Sequence, residues 1–168
     1  YGCLVGSEMC IRDRYDTVLK TIYEHDFYDY KGTLNLKNYI YSLKKYKSNY
    51  ITCLNNNTYE ITIHNTEILY ETLFNIAMLS LNILNIQNNA LKTKIKEVNR
   101  DLFIKKNSDY GNSYKDFGLI GILVRLNDKI NRILTLEYKK TEVMNESIED
   151  SINDLYNYCI IGLMYKLE

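Results

Sequence analysis

From Tyr15 onward the apolar positions recur three and four residues apart, which is the period of a helix and not of a strand. The spacing predicts helices near 15–28, 34–54, 66–85, 88–107, 119–138 and 146–167. Between them lie YKGT (30–33), CLNNNTYEITIHN (53–65), DYGN (109–112) and the polar stretch 139–145. Thr33 and Asn145 are candidate N-caps for the second and last helices, since a short polar side chain can accept an orphan helix N–H. Gly111 suits a turn with positive φ, and Gly118 precedes the fifth helix. A short extended piece at 59–63 is the single strand-like interruption. The longest apolar run, IAMLSLNIL (76–84), already contains Ser and Asn. A bilayer span needs about 20 mostly apolar residues, so the expectation is a soluble chain with no membrane partner.

The two halves align at an offset of 79 residues. Gly32 falls on Gly111; Ile40, Leu43, Ile51 and Leu54 fall on Leu119, Ile122, Ile130 and Ile133. NTEILYETLFNI (65–76) falls on MNESIEDSINDL (144–155). Repeats of this kind alter the fold expected. The sequence therefore reads as an all-α helical bundle of two pseudo-repeated units packed as one domain: a degenerate first unit at 15–85 and a motif-bearing unit at 86–168. The halves differ in charge. Where the second has Arg125, Asp128, Lys129 and Arg132, the first has Tyr46, Asn49, Tyr50 and Cys53.

Those charges form two stripes. At about 100° per residue, Glu146, Asp150, Asp154 and Asn157 lie within roughly 80° on the last helix, opposite Ile148, Ile152, Leu155, Cys159 and Leu163. Arg125, Lys129 and Arg132 lie within about 60° of one another on the preceding helix. Like charges at i,i+4 disfavour a helix by a few tenths of a kcal/mol each, and no basic residue flanks the acids before Lys166. Three arrangements satisfy such a stripe: a solvated face, an ion-pair layer between helices, or a site. In a site, Glu146, Asp150, Asp154 and Asp128 would supply oxygen ligands to Mg²⁺. Arg125, Lys129 and Arg132 would neutralise phosphate charge.

Composition narrows the partner. The chain carries 21 basic and 21 acidic residues, so bulk electrostatic attachment to nucleic acid is not expected. It has no proline, which permits long helices. Its 17 tyrosines, with abundant Asn, Ile and Lys, reflect AT-rich codons. The four cysteines include no C-x-x-C, so neither zinc nor a disulfide framework is expected, and a reducing cytoplasm is the simplest setting. Cys53 and Cys159 read as buried thiols, and His25 and His64 stand alone. The opening YGCLVGSEMCIRDR contains SEMCIRDR, which resembles translated sequencing-adapter DNA. Residues 1–14 are set aside on that ground as an expected artefact.

KKNSDYGNS (105–113), VRLNDKINRI (124–133) and ESIEDSINDLYNY (146–158), followed by the terminal apolar stretch, resemble in order and spacing the nucleotide modification associated domain 1 family. The resemblance covers about 90–168. It implies an α-helical protein of bacteria or phages, associated with base modification, in the cytoplasm of a bacterium or an infected host cell. It carries a polar pattern onto Lys106, Asp109, Tyr110, Gly111, Arg125, Asp128, Lys129, Arg132, Glu146, Asp150 and Asn157. By fold analogy the E-x₃-D helix also resembles the MazG-type pyrophosphohydrolases, but their E-E-x-x-E partner run is replaced here by R-x-x-D-K-x-x-R.

Two functions follow as expectations. The first is a protein binding a free nucleotide or modified base through Lys106, Asp109, Tyr110, Arg125, Lys129, Arg132 and Asn157. Mg²⁺-assisted hydrolysis of a nucleotide phosphate would be its reaction if it is an enzyme, and a homodimer is one way to complete such a site. The second is a non-enzymatic helical adaptor whose stripes pair with each other or with a protein partner.

Overall fold

The computed structural model describes residues 11–24, 35–55, 63–87, 99–105, 116, 118–138 and 147–167. Among the described residues every regular element is a helix: α1 (Ile11–Glu24), α2 (Leu36–Asn55), α3 (Ile63–Gln87), α4 (residues 99–105), α5 (Gly118–Leu136) and α6 (Ile148–Met164). A 3₁₀ turn, Tyr165–Leu167, follows α6. The bundle is built around α3 and α6, which pack on each other; α5 and α1 lie against α6, α2 against α3, and α2 also touches α5.

Caps define the helix starts. The Asn35 side chain accepts the Asn38 N–H at 2.9 Å, and the Asn35 carbonyl accepts the Tyr39 N–H. This makes Asn35 the cap of α2, two residues beyond the Thr33 expected from sequence. The last helix also starts later than expected. Its N-cap is Ser147, not Asn145, because Ser147 and Asp150 form a reciprocal capping box. Gly118 opens α5 with φ of +61°, a backbone state that glycine adopts without penalty. α1 begins at Ile11, within the stretch read as adapter-derived, and Arg14 is buried there. The expected pieces at 30–33, 59–62, 88–98, 106–115 and 139–146 lie outside the described residues.

The core is aliphatic where the central helices cross. Leu73 and Ile76 of α3, Leu126 and Ile130 of α5, and Leu155 and Ile160 of α6 are all at most 1 % exposed. α6 is not the simply amphipathic helix expected from its pattern. Residues 159–164 are all buried, and α1, α3 and α5 all pack against this helix. Thr66–Leu84 of α3 is long and apolar enough to span a bilayer by composition, and 61 % of it is buried within the bundle. One polar pair sits in this interior: the Tyr39 and Ser80 hydroxyls share a hydrogen bond of 2.7 Å.

At the 79-residue offset α2 overlies α5 and α3 overlies α6. Leu43 and Ile122, Thr72 and Ser151, Leu73 and Ile152, Ile76 and Leu155, and Ser80 and Cys159 are buried at corresponding positions. This is a correspondence of helix span and burial. A two-unit origin for the chain is a proposal resting on it together with the sequence match.

Candidate functional site

The polar stripe of α6 is shared between α5 on one side and α4 and α1 on the other. On one side, the Lys129 ammonium of α5 lies 2.8 Å from the Asp154 carboxylate, their side chains 23 % and 43 % exposed. One turn away Arg132 donates from one guanidinium nitrogen to the Ser147 carbonyl at 3.0 Å and to the fully buried Ser151 hydroxyl. Arg132 therefore ties α5 to the first turn of α6. On the other side, Asn99 of α4 and Asn153 of α6 exchange amide hydrogen bonds of 2.8 and 2.9 Å. Asn157 accepts the Tyr15 hydroxyl of α1 at 3.1 Å. Tyr15 also stacks on Phe103, and Arg100 holds both oxygens of Asp16, so α4 and α1 are joined beneath the same stripe.

Each expected site residue can now be placed. Asp154 and Lys129 meet. Asp150 turns back onto its own helix, where its carboxylate accepts the Ser147 N–H at 2.8 Å. Arg125 and Asp128 are exposed on α5. Asn157 faces α1. Glu146, Lys106, Asp109 and Tyr110 lie outside the described residues, as does Gly111. Among the described residues no three His, Cys, Asp or Glu side chains gather as a metal cluster. Asp150 is engaged in the cap and Asp154 with Lys129, and no step is assigned to Mg²⁺.

Sequence reasoning did not single out Ser147, Ser151, Asn99 or Asn153. The S-x-x-D spacing at 147–150 signals the capping box and with it the helix start. The Asn99–Asn153 pair has no local signal, since its partners are far apart in the chain. Arg132→Met is expected to reduce stability by about 1–2 kcal/mol in urea denaturation, because it strips the buried Ser151 hydroxyl and the cap carbonyl of a donor. Arg132→Lys should recover only part of this, since an ammonium lacks the reach of the planar fork.

The fold and this seam define an all-α protein with a charged helix pair at its C-terminal end. Residues 106–165 match the family model described as nucleotide modification associated domain 1. The match takes in α5 and α6, leaves α1, α2 and α3 outside, and bears out the resemblance drawn from the motifs. It associates this part of the chain with nucleotide modification. No curated protein and no solved structure gives a significant match to the chain.

Proposed function

We propose that this protein binds a free nucleotide or modified base through the cationic face of α5 and serves nucleotide modification in a bacterial or phage setting. One observation carries the reading. Within the family-matched span, Arg125 is exposed and makes no ion pair among the described residues, one turn from Lys129, whose ion pair is with a half-exposed carboxylate. Side chains four apart on a helix have Cβ atoms about 5–6 Å apart, so both cations can reach one phosphate. A phosphate would compete with Asp154 for Lys129, and Arg125 would add a bidentate donor. Arg132 holds the α6 cap in place beside them.

The test is thermal melting of the 168-residue chain with nucleoside mono- and triphosphates, with and without Mg²⁺, alongside product analysis. A bound nucleotide at a hundredfold its Kd adds about 2.7 kcal/mol. That gain should vanish in Arg125→Gln and persist in Asp154→Asn, which frees Lys129. Products formed only with Mg²⁺ would add hydrolysis to binding.

A second reading has its own support: the seam's charges already satisfy one another through Lys129–Asp154 and the Arg132 contacts. On that reading the protein is a helical adaptor. No nucleotide then shifts the melt, and Asp154→Asn melts slightly lower, by the under 1 kcal/mol of a partly exposed pair.

A further inference from the structure

The neutral balance of the whole chain conceals a segregation by helix. α2 carries Lys37, Lys44, Lys45 and Lys47 and no acidic residue in 20 positions. On the helical wheel Lys37, Tyr41, Lys44 and Ser48 fall within about 60°, with Lys45 some 40° beyond Tyr41. All five are exposed, Tyr41 at 74 %. The turn just past α5 adds a second exposed ring: Tyr138 is 79 % exposed, and the Lys44 ammonium lies 5.8 Å from its centroid. Lys47 leans inward and donates to the Asn131 side chain of α5.

Two adjoining open grooves run along this junction. One, of about 450 Å³, is lined by Lys47, Asn131, Leu134, Thr135 and Tyr138; the other, of about 350 Å³, by Lys44, Lys47, Ser48, Ile51 and Leu134. The ion pair found here among the described residues, Lys44–Glu137 at 3.4 Å, is solvent-accessible. Lys37 and Lys45 form no ion pair among the described residues.

Lysine heads spaced along roughly 15 Å of helix, interleaved with tyrosine faces, match the chemistry of an unpaired strand. Its phosphates meet the ammonium groups, and its splayed bases have aromatic faces to stack on. We propose that the α2 face, with Tyr138, binds single-stranded nucleic acid. A duplex hides its base faces and cannot use Tyr41 or Tyr138. An acidic peptide would use the lysines but has no reason to need the rings; an anionic membrane would use both, and vesicle binding is therefore one of the outcomes that decides. The lysines and Tyr41 of α2 lie outside the family-matched span, only Tyr138 falls within it, and none of these residues belongs to the proposed nucleotide site, so the two stand or fall separately.

The test is fluorescence anisotropy of a labelled oligothymidylate with the 168-residue chain, against salt. Each phosphate contact to a single strand contributes a slope of about −0.7 in log K against log salt. Three lysines therefore predict a roughly twentyfold loss of affinity between 50 and 200 mM salt. The triple variant Lys37→Gln, Lys44→Gln, Lys45→Gln should abolish most of that salt dependence. Tyr41→Ser with Tyr138→Ser should weaken binding at least about fivefold per ring while leaving the slope unchanged. Oligouridylate should bind within a few fold of oligothymidylate, because ammonium groups and ring faces do not read the 2′-hydroxyl. Lys166→Gln, away from this face, should change nothing.

The proposal is overturned if no oligonucleotide binds at 50 mM salt. It is equally overturned if duplex binds as well as single strand with the tyrosine variant unaffected, or if anionic vesicles or a poly-glutamate peptide bind more tightly than the strand.

Discussion

Leu73→Ala is expected to lower the unfolding free energy by about 2–5 kcal/mol, and adding Gly162→Ala should return part of that loss. Leu73 of α3 is 1 % exposed, so truncating it opens a cavity among packed helices. The cavity would lie directly over Gly162 of α6. A Cβ built on Gly162 meets Leu73 Cδ1 at 2.7 Å, Ile122 Cγ2 at 3.5 Å and Leu119 Cδ1 at 3.7 Å. Glycine is what lets α3, α5 and α6 come together here.

In the wild-type background Gly162→Ala gains about 1 kcal/mol of helix propensity but forces the Leu73 end group aside, so its net effect is small or unfavourable. In the Leu73→Ala background the new methyl enters vacated space and keeps the propensity gain. The double-mutant cycle should therefore show a favourable coupling of about 1–2 kcal/mol. Urea denaturation of the four proteins measures it. Additivity within about 0.5 kcal/mol would mean that the helices do not meet at this glycine as described.

The helices were legible because burial imposes its period on the sequence: Ile122, Leu126, Ile130 and Ile133 face inward at the spacing their pattern announces. Boundaries were less legible. Thr33 and Asn145 are acceptable caps by type, but Asn35 caps α2 and Ser147 caps α6, the latter because Asp150 stands three residues on to complete the box. The full burial of α6 beyond Tyr158 could not be read from its own pattern, since it depends on how many neighbours surround it. For the charged stripes, the sequence left a solvated face, an ion-pair layer and a site open together, and the structure pairs Lys129 with Asp154 of α6. The sequence could not divide the remaining stripe between α5 on one side and α1 and α4 on the other. That division depends on interhelical geometry, and it takes Asn157 out of the seam and into a bond with Tyr15. The run KKYK at 44–47 carried no expectation in the sequence, because its neighbour Tyr138 is 91 positions or more away along the chain and meets it only through the packing of α2 on α5.

Alkaline pH is expected to unfold the protein through its interior hydroxyl and thiol. Tyr39 is fully buried, and that burial pushes its phenol far above the ordinary 10.0; the Ser80 hydrogen bond opposes this and Cys159 adds to it. Burial likewise raises the Cys159 thiol well above its ordinary 9.0. Both groups keep their protons in the folded chain, whereas the unfolded chain releases them near the ordinary values. Above those values the unfolded state binds fewer protons, so stability falls as pH rises. Below about pH 9 these two groups leave stability unchanged. Above about pH 9 the thiol contributes a loss of up to about 1.4 kcal/mol per pH unit, and above about pH 10 the phenol contributes the same again.

Tyr39→Phe isolates one of them. At pH 7 it should be less stable than wild type by about 1 kcal/mol, because Ser80 is left without its partner. Its stability should then fall less steeply above pH 10, so that the two curves converge and cross within about one to two pH units. Other tyrosines titrate in both proteins and cancel in the difference. Urea denaturation at pH 7, 9, 10 and 11 gives the curves, and parallel curves across that range would place the Tyr39 hydroxyl in contact with water.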